Sequence, residues 1–172
     1  MAVEPPVVEK VAQRPPVVEE VAQQPSRNQT SEAALTDAVG VGIDVVGITA
    51  FAEQLDAEGT RFAQVFTPAE RRAARAGVGG EAQRLAARWA AKEAVVKAWS
   101  STRFGQPEVI DPDDVDLREI EVRTDAWGRP AIRLHGAVGA AMADYTVLVS
   151  LTHDAEADVA AAYVVLQEKQ PT

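Results

Sequence analysis

Six alanines, at positions 86, 87, 90, 91, 94 and 98, run through and just ahead of RWAAKEAVVKAWS (residues 88–100), and this stretch limits the fold more than any other part of the chain. Alanine is the strongest helix former and carries a single side-chain carbon, so a helix clad in it lets another backbone or a ligand approach closely. The periodicity predicts a helix over about 81–100. Leu85, Trp89, Lys92, Val96 and Trp99 fall at intervals of four, three, four and three residues and trace one stripe, which Lys92 alone interrupts with a charge. Arg84, Arg88 and Lys92 align along one edge, and Glu93 and Lys97 form a separate pair one turn apart in the orientation that favours an ion pair.

The elements around this helix follow from pattern and punctuation. Residues 4–13, EPPVVEKVAQ, are nearly repeated ten residues later, and with their Pro-Pro pairs they offer little to bury, so residues 1–38 are expected to form a disordered, partly polyproline-like tail. From Ala38 the run AVGVGIDVV suits a buried strand, and residues 48–58 suit a helix. In FTPAE, Thr67 can cap, Pro68 takes the first helical position and Glu70 completes a capping box, with glycines at 77, 79 and 80 to end that helix. EIEVRTD and AIRLH flank the turn Trp127-Gly128-Arg129-Pro130 as a hairpin, a short helix is expected at 136–143, and YTVLVSLTHD and DVAAAYVVLQ read as two more strands. The expectation is one α+β domain over 39–172, with long helices packed against a mainly antiparallel sheet.

Composition narrows the function. No apolar run approaches the roughly 20 residues of a bilayer span, and the first residues lack the basic start and apolar stretch of a signal peptide. The absence of cysteine removes disulfides, thiolate metal sites and cysteine nucleophiles, and a cytoplasmic protein is expected. A net charge of -9 and 5% aromatic residues argue against nucleic acid. Yet residues 67–103 hold eight basic groups against three acidic ones, a basic island that suits a phosphate-rich small molecule or an acidic partner, although on charge alone a solvated helical face is the commoner explanation.

Three residues stand out chemically. Asp44 is the only charge in its apolar strand, and a buried carboxylate costs several kcal/mol unless a cation meets it. Glu93 can share that cation, since magnesium is typically held by one or two carboxylates together with phosphate. The alternative leaves Asp44 in solvent at a strand end and Glu93 paired with Lys97 alone. His153, at the end of a strand beside Asp154, suits general acid or base chemistry, although a lone histidine is more often structural.

VGIDVV at 41–46, FTPAE at 66–70, RWAAKEAVVKAW at 88–99, WGRP at 127–130 and SLTH at 150–153 together resemble the holo-(acyl-carrier-protein) synthases, the small bacterial 4'-phosphopantetheinyl transferases, and in wording the actinobacterial branch. The resemblance covers about residues 39–166. It implies a homotrimer with coenzyme A in the clefts between subunits. It also implies the reaction, in which a serine of an apo acyl carrier protein, or of a carrier domain of a fatty-acid synthase, attacks the β-phosphate of coenzyme A and releases adenosine 3',5'-bisphosphate. Asp44 and Glu93 map onto the family's magnesium site, Lys97 onto its pyrophosphate contact, and Arg88, Lys92 and His153 onto groups near the coenzyme. Glu93, Lys97 and His153 are the expected catalytic residues, and Glu93, His153 and Asp154 are candidates to take the serine proton. The chain departs from the family at Gly47 and Ala50, where many members carry an acidic residue and an arginine. Arg71, Arg72 and Arg75 can take over the grip on an acidic carrier. The competing expectation is an inactive module that binds coenzyme A or the carrier.

Overall fold

A computed structural model describes residues 38–77 and 80–170, so the expected tail lies outside the described residues except for Ala38. Strands β1 (Ala38–Gly47), β4 (Tyr145–Asp154) and β5 (Val159–Glu168) form one antiparallel sheet in the order β1-β5-β4. Strands β2 (Ile120–Thr124) and β3 (Pro130–Leu134) form a separate two-stranded sheet. Among the described residues there are four α-helices, α1 (Ile48–Asp56), α2 (Pro68–Ala76), α3 (Glu81–Ser101) and α4 (Gly136–Ala141), with short 3-10 turns between elements. This is the expected α+β class, with the strands divided between two antiparallel sheets rather than collected in one.

The local reasons match the sequence in most places. Thr67 accepts from the backbone N–H of Glu70 while the Glu70 carboxylate accepts from that of Thr67, so α2 opens on a complete capping box. At its other end Gly77 is extended, with φ -84°, so α2 does not close on a left-handed glycine. The guanidinium of Arg84 lies over Gly77 instead, where a Cβ would come within 2.6 Å of Nε.

The core forms where α3 lies across β1 and β5. In β1 the residues alternate, so that Gly40, Gly42, Asp44 and Val46 face α3 while Val41, Ile43 and Val45 face away. At Gly42 a Cβ would overlap the carbonyl of Ala94, and at Gly40 it would come within 2.5 Å of the Ala98 carbonyl. The two backbones therefore meet across glycine on one side and alanine on the other, with Ala90, Ala91, Ala94 and Ala98 at 0% exposure. Around that contact pack Val95, Trp99, Ile120, Val122, Val164 and Leu166.

The opposite face of the three-stranded sheet is apolar and open. The register places Val41 beside Val165 and Leu148, and Ile43 beside Tyr163 and Ser150. Val41, Ile43, Val45, Leu148 and Tyr163 are 52%, 60%, 61%, 48% and 48% exposed.

Gly42→Ala is expected to lower the unfolding free energy by about 3 kcal/mol or more, because a methyl group there must push α3 off the strand. Gly80→Ala, where a Cβ meets nothing within 4 Å, is expected to stay within about 1 kcal/mol of the parent. Urea denaturation of both variants checks the contrast.

Candidate active site: two clefts on either side of one helix

Asp44 and Glu93 approach each other because of the glycine–alanine contact. Asp44 follows Gly42 on the same face of β1, and Glu93 leaves α3 immediately before Ala94. They line a cleft of about 350 Å³ together with Gly47, Ala50, Gln54 and Trp89. The Asp44 side chain is only 15% exposed, and Lys97 Nζ donates to its Oδ1 at 2.7 Å. Burial pushes the Glu93 carboxyl up from its ordinary value, the charge of Asp44 adds to the rise, and Lys97 opposes it. Lys97, expected to pair with Glu93, makes its ion pair with Asp44.

This cleft fits a hard divalent ion. Its walls supply two carboxylates that repel each other, and a lysine ammonium already lies against one of them, so positive charge is accommodated there. Among the described residues no three His, Cys, Asp or Glu side chains gather as a complete protein cage. A magnesium ion needs none, because it keeps several waters and takes the rest of its oxygens from substrate phosphates. Gly47 and Ala50 line the same cleft and leave its wall small and uncharged at those two positions.

A second cleft, of about 500 Å³, is lined by Arg84, Arg88, Gly128, Pro130, Thr152 and His153, among others. Arg88 is only 6% exposed. Its Nη1 donates to the carbonyl of Arg84 at 3.0 Å, and its Nε is buried without a hydrogen-bond partner. Burial lowers the pKa of Arg88, Glu70 opposes that fall and neighbouring Arg84 adds to it. Two guanidinium groups and an imidazole around one opening suit an anion. His153 pairs in register with Ala160, whose other neighbour is Val46, and it opens into this second cleft. Within one chain the structure therefore brings Asp44, Glu93 and Lys97 together, and separately Arg88 and His153.

Lys92 requires a correction. Expected beside the coenzyme, it is 0% exposed and all three of its N–H directions are used inside the protein. It donates to Glu70 Oε2 at 3.1 Å and to the carbonyls of Leu117 and Ile120 at 2.9 and 2.5 Å. Burial lowers its pKa, and Glu70 with its hydrogen bond opposes that fall. Glu70, read from sequence only as a capping residue, is its counter-ion, 1% exposed, and also accepts from the Val122 N–H at 2.9 Å. No local spacing signals a pair 22 residues apart. Arg84 on the same edge lines the second cleft as Arg88 does, and its spacing to Arg88 was the available sign.

The family model for the 4'-phosphopantetheinyl transferase superfamily matches residues 40–164. The chain is 57% identical over 129 residues to a holo-(acyl-carrier-protein) synthase of Mycobacterium tuberculosis, covering 75% of this chain and 96% of that protein. It is similar in structure to the ACPS–CoA complex of Chronobacterium ammoniagenes, with a TM-score of 0.70, 45% identity and coverage of 76% of this chain and 98% of that one. It is likewise similar to the acyl carrier protein synthase of Mycobacterium tuberculosis, with a TM-score of 0.63, 51% identity and coverage of 77% and 99%.

Proposed function

Since the chain belongs to the 4'-phosphopantetheinyl transferase superfamily, we infer that it is a holo-(acyl-carrier-protein) synthase, moving 4'-phosphopantetheine from coenzyme A to a serine of an apo acyl carrier protein. The serine oxygen forms a bond to the β-phosphorus, the bond from that phosphorus to the bridging oxygen breaks, and adenosine 3',5'-bisphosphate leaves. The observation that carries this reading at the site is the pairing of Asp44 and Glu93 across one cleft. These two residues would hold magnesium, which when bound neutralises charge on the pyrophosphate.

Phosphoryl transfer asks for positioning and charge neutralisation more than for covalent help. Lys97, half exposed and bonded to the Asp44 carboxylate, can swing from Asp44 to a pyrophosphate oxygen. Arg88, with Nε buried and unpartnered, and His153 suit the remaining phosphates of the coenzyme. Lys92, with every donor engaged, has no such part. Glu93, His153 and Asp154 are the groups available to receive the serine proton. The reaction's substrates support a cytoplasmic location. No helix among the described residues is long and apolar enough to cross a membrane.

Supporting a homotrimer is the open apolar face of the three-stranded sheet, since a contiguous exposed patch of that kind marks an association surface. The division of the binding groups between two clefts supports a shared site, in which the Asp44–Glu93 cleft of one subunit and the Arg88–His153 cleft of the next hold one coenzyme. Arg71 and Arg72 support a role in meeting an acidic carrier, because α1 offers only Glu53 and Asp56 as charges and Arg75 is already paired with Glu81 at 3.0 Å.

Three outcomes are expected. Glu93→Gln should cut carrier loading by at least about 100-fold, read by mass spectrometry of the carrier with coenzyme A and magnesium, while the oligomer stays intact; unchanged turnover would refute the metal assignment. Co-expressing inactive Glu93→Gln and His153→Ala chains should restore roughly a quarter of wild-type activity, the chance that a shared site draws its intact half from each parent. No recovery in mixed oligomers would mean that each chain acts alone. Reversing the charge of Arg71 and Arg72 should raise the KM for the carrier and flatten its salt dependence, and a change confined to the KM for coenzyme A would reassign them to the coenzyme.

A further inference from the structure

Glu93 leaves α3 one residue after Lys92, so whatever holds Lys92 also aims Glu93. Consecutive side chains leave a helix about 100° apart, and here they serve opposite sides: Lys92 enters the core toward α2 and β2, while Glu93 opens into the cleft with Asp44. The contact that fixes α3 against β1 is smooth, with alanine on the helix and Gly40 and Gly42 on the strand. Such a contact sets the distance between the backbones but resists rolling poorly, because no large side chain interlocks there. A carboxylate about 5–6 Å from the helix axis moves about 2 Å sideways if the helix rolls by about 20°. A misplacement of about 1 Å is enough to cost roughly 100-fold in rate.

The buried ammonium opposes that roll. Its three donors end on Glu70, Leu117 and Ile120, and Glu70 is in turn held by the N–H groups of Thr67, at 2.8 Å, and Val122, at 2.9 Å. Three hydrogen bonds therefore tie one position of α3 to α2, to β2 and to the 3-10 turn at Leu117–Glu119, and two more fix the Glu70 carboxylate that receives one of them. Stability alone is a weak reason to keep such a pair, since replacing a buried ion pair by apolar residues of similar volume is often neutral or stabilising. Direction is what the charged pair supplies and an apolar pair does not.

We propose that Glu70, acting through Lys92, is a positioning residue for the Asp44–Glu93 cleft, holding α3 at the rotation that faces the two carboxylates toward each other. The inference rests on the reading of that cleft as a divalent-cation site. Its test uses the full chain and two variants: Glu70→Leu/Lys92→Met, which removes both charges, and Glu70→Asp, which keeps the charge and draws it back by one methylene. Binding of Mn2+ in the presence of coenzyme A is followed by electron paramagnetic resonance, beside urea unfolding and kinetics. The double variant should fold with an unfolding midpoint below that of the wild type, because the Thr67 cap and the buried Val122 N–H lose their acceptor, bind Mn2+ about tenfold more weakly and lose at least tenfold in kcat with the KM for coenzyme A within twofold. Glu70→Asp should shift the same readings in the same direction by less.

A folded variant of either kind that binds Mn2+ with wild-type affinity overturns the proposal, and so does failure of both variants to fold, which would make the pair a requirement of folding. If the wild-type chain shows no Mn2+ binding that Glu93→Gln removes, the cation reading itself fails and this inference with it. A Glu93-dependent Mn2+ site indifferent to both Glu70 variants defeats the inference alone.

Discussion

The close passage of α3 over β1 is the contact on which the rest of the structure depends. Without side chains at positions 40 and 42, and with only methyl groups at 90, 91, 94 and 98, the helix backbone settles directly on the strand. One consequence is a dense core in a chain with few aromatics. The other is chemical: Asp44, two residues beyond Gly42 in the strand, and Glu93, beside Ala94 in the helix, are carried into the same cleft. A larger residue at either floor would separate the carboxylates as well as loosen the packing.

Charge is then distributed around α3 by its rotation. One direction carries Glu93 and Lys97 to Asp44, another carries Arg84 and Arg88 to the cleft with His153, and a third sends Lys92 inward to Glu70. The raised pKa of Glu93 and the lowered pKa of Arg88 both begin with burial and are reinforced by a like charge nearby, Asp44 for the first and Arg84 for the second. Like charges held together without full compensation are what a ligand of opposite sign relieves. On the proposed function, a divalent cation answers the first cleft and the remaining phosphates of coenzyme A answer the second.

Much of this was legible in the residues. Thr67, Pro68 and Glu70 announced the start of α2 through local capping chemistry, alternation announced the hairpin, and the lone Asp44 in an apolar strand signalled a carboxylate in need of a cation, which the structure supplies in Lys97. What depended on distant packing was not legible. Helical spacing put Lys92 on an edge with Arg84 and Arg88, but its fate was decided by Glu70 and by carbonyls at 117 and 120 that no short-range pattern places nearby. Glu70 uses one carboxylate oxygen for its cap and the rest of its capacity for the core, and only the first use has a local signature. Nor could alternation alone show that β2 and β3 stand apart from the main sheet, or into which cleft His153 opens.

Crystals of the full chain grown with coenzyme A and Mn2+ offer the most direct test of the central claim, because anomalous scattering locates the ion without assumption. The account predicts an anomalous peak between the carboxylates of Asp44 and Glu93, with pyrophosphate oxygens completing its coordination. An ion bound elsewhere, with those two side chains turned apart around an intact coenzyme, would contradict it.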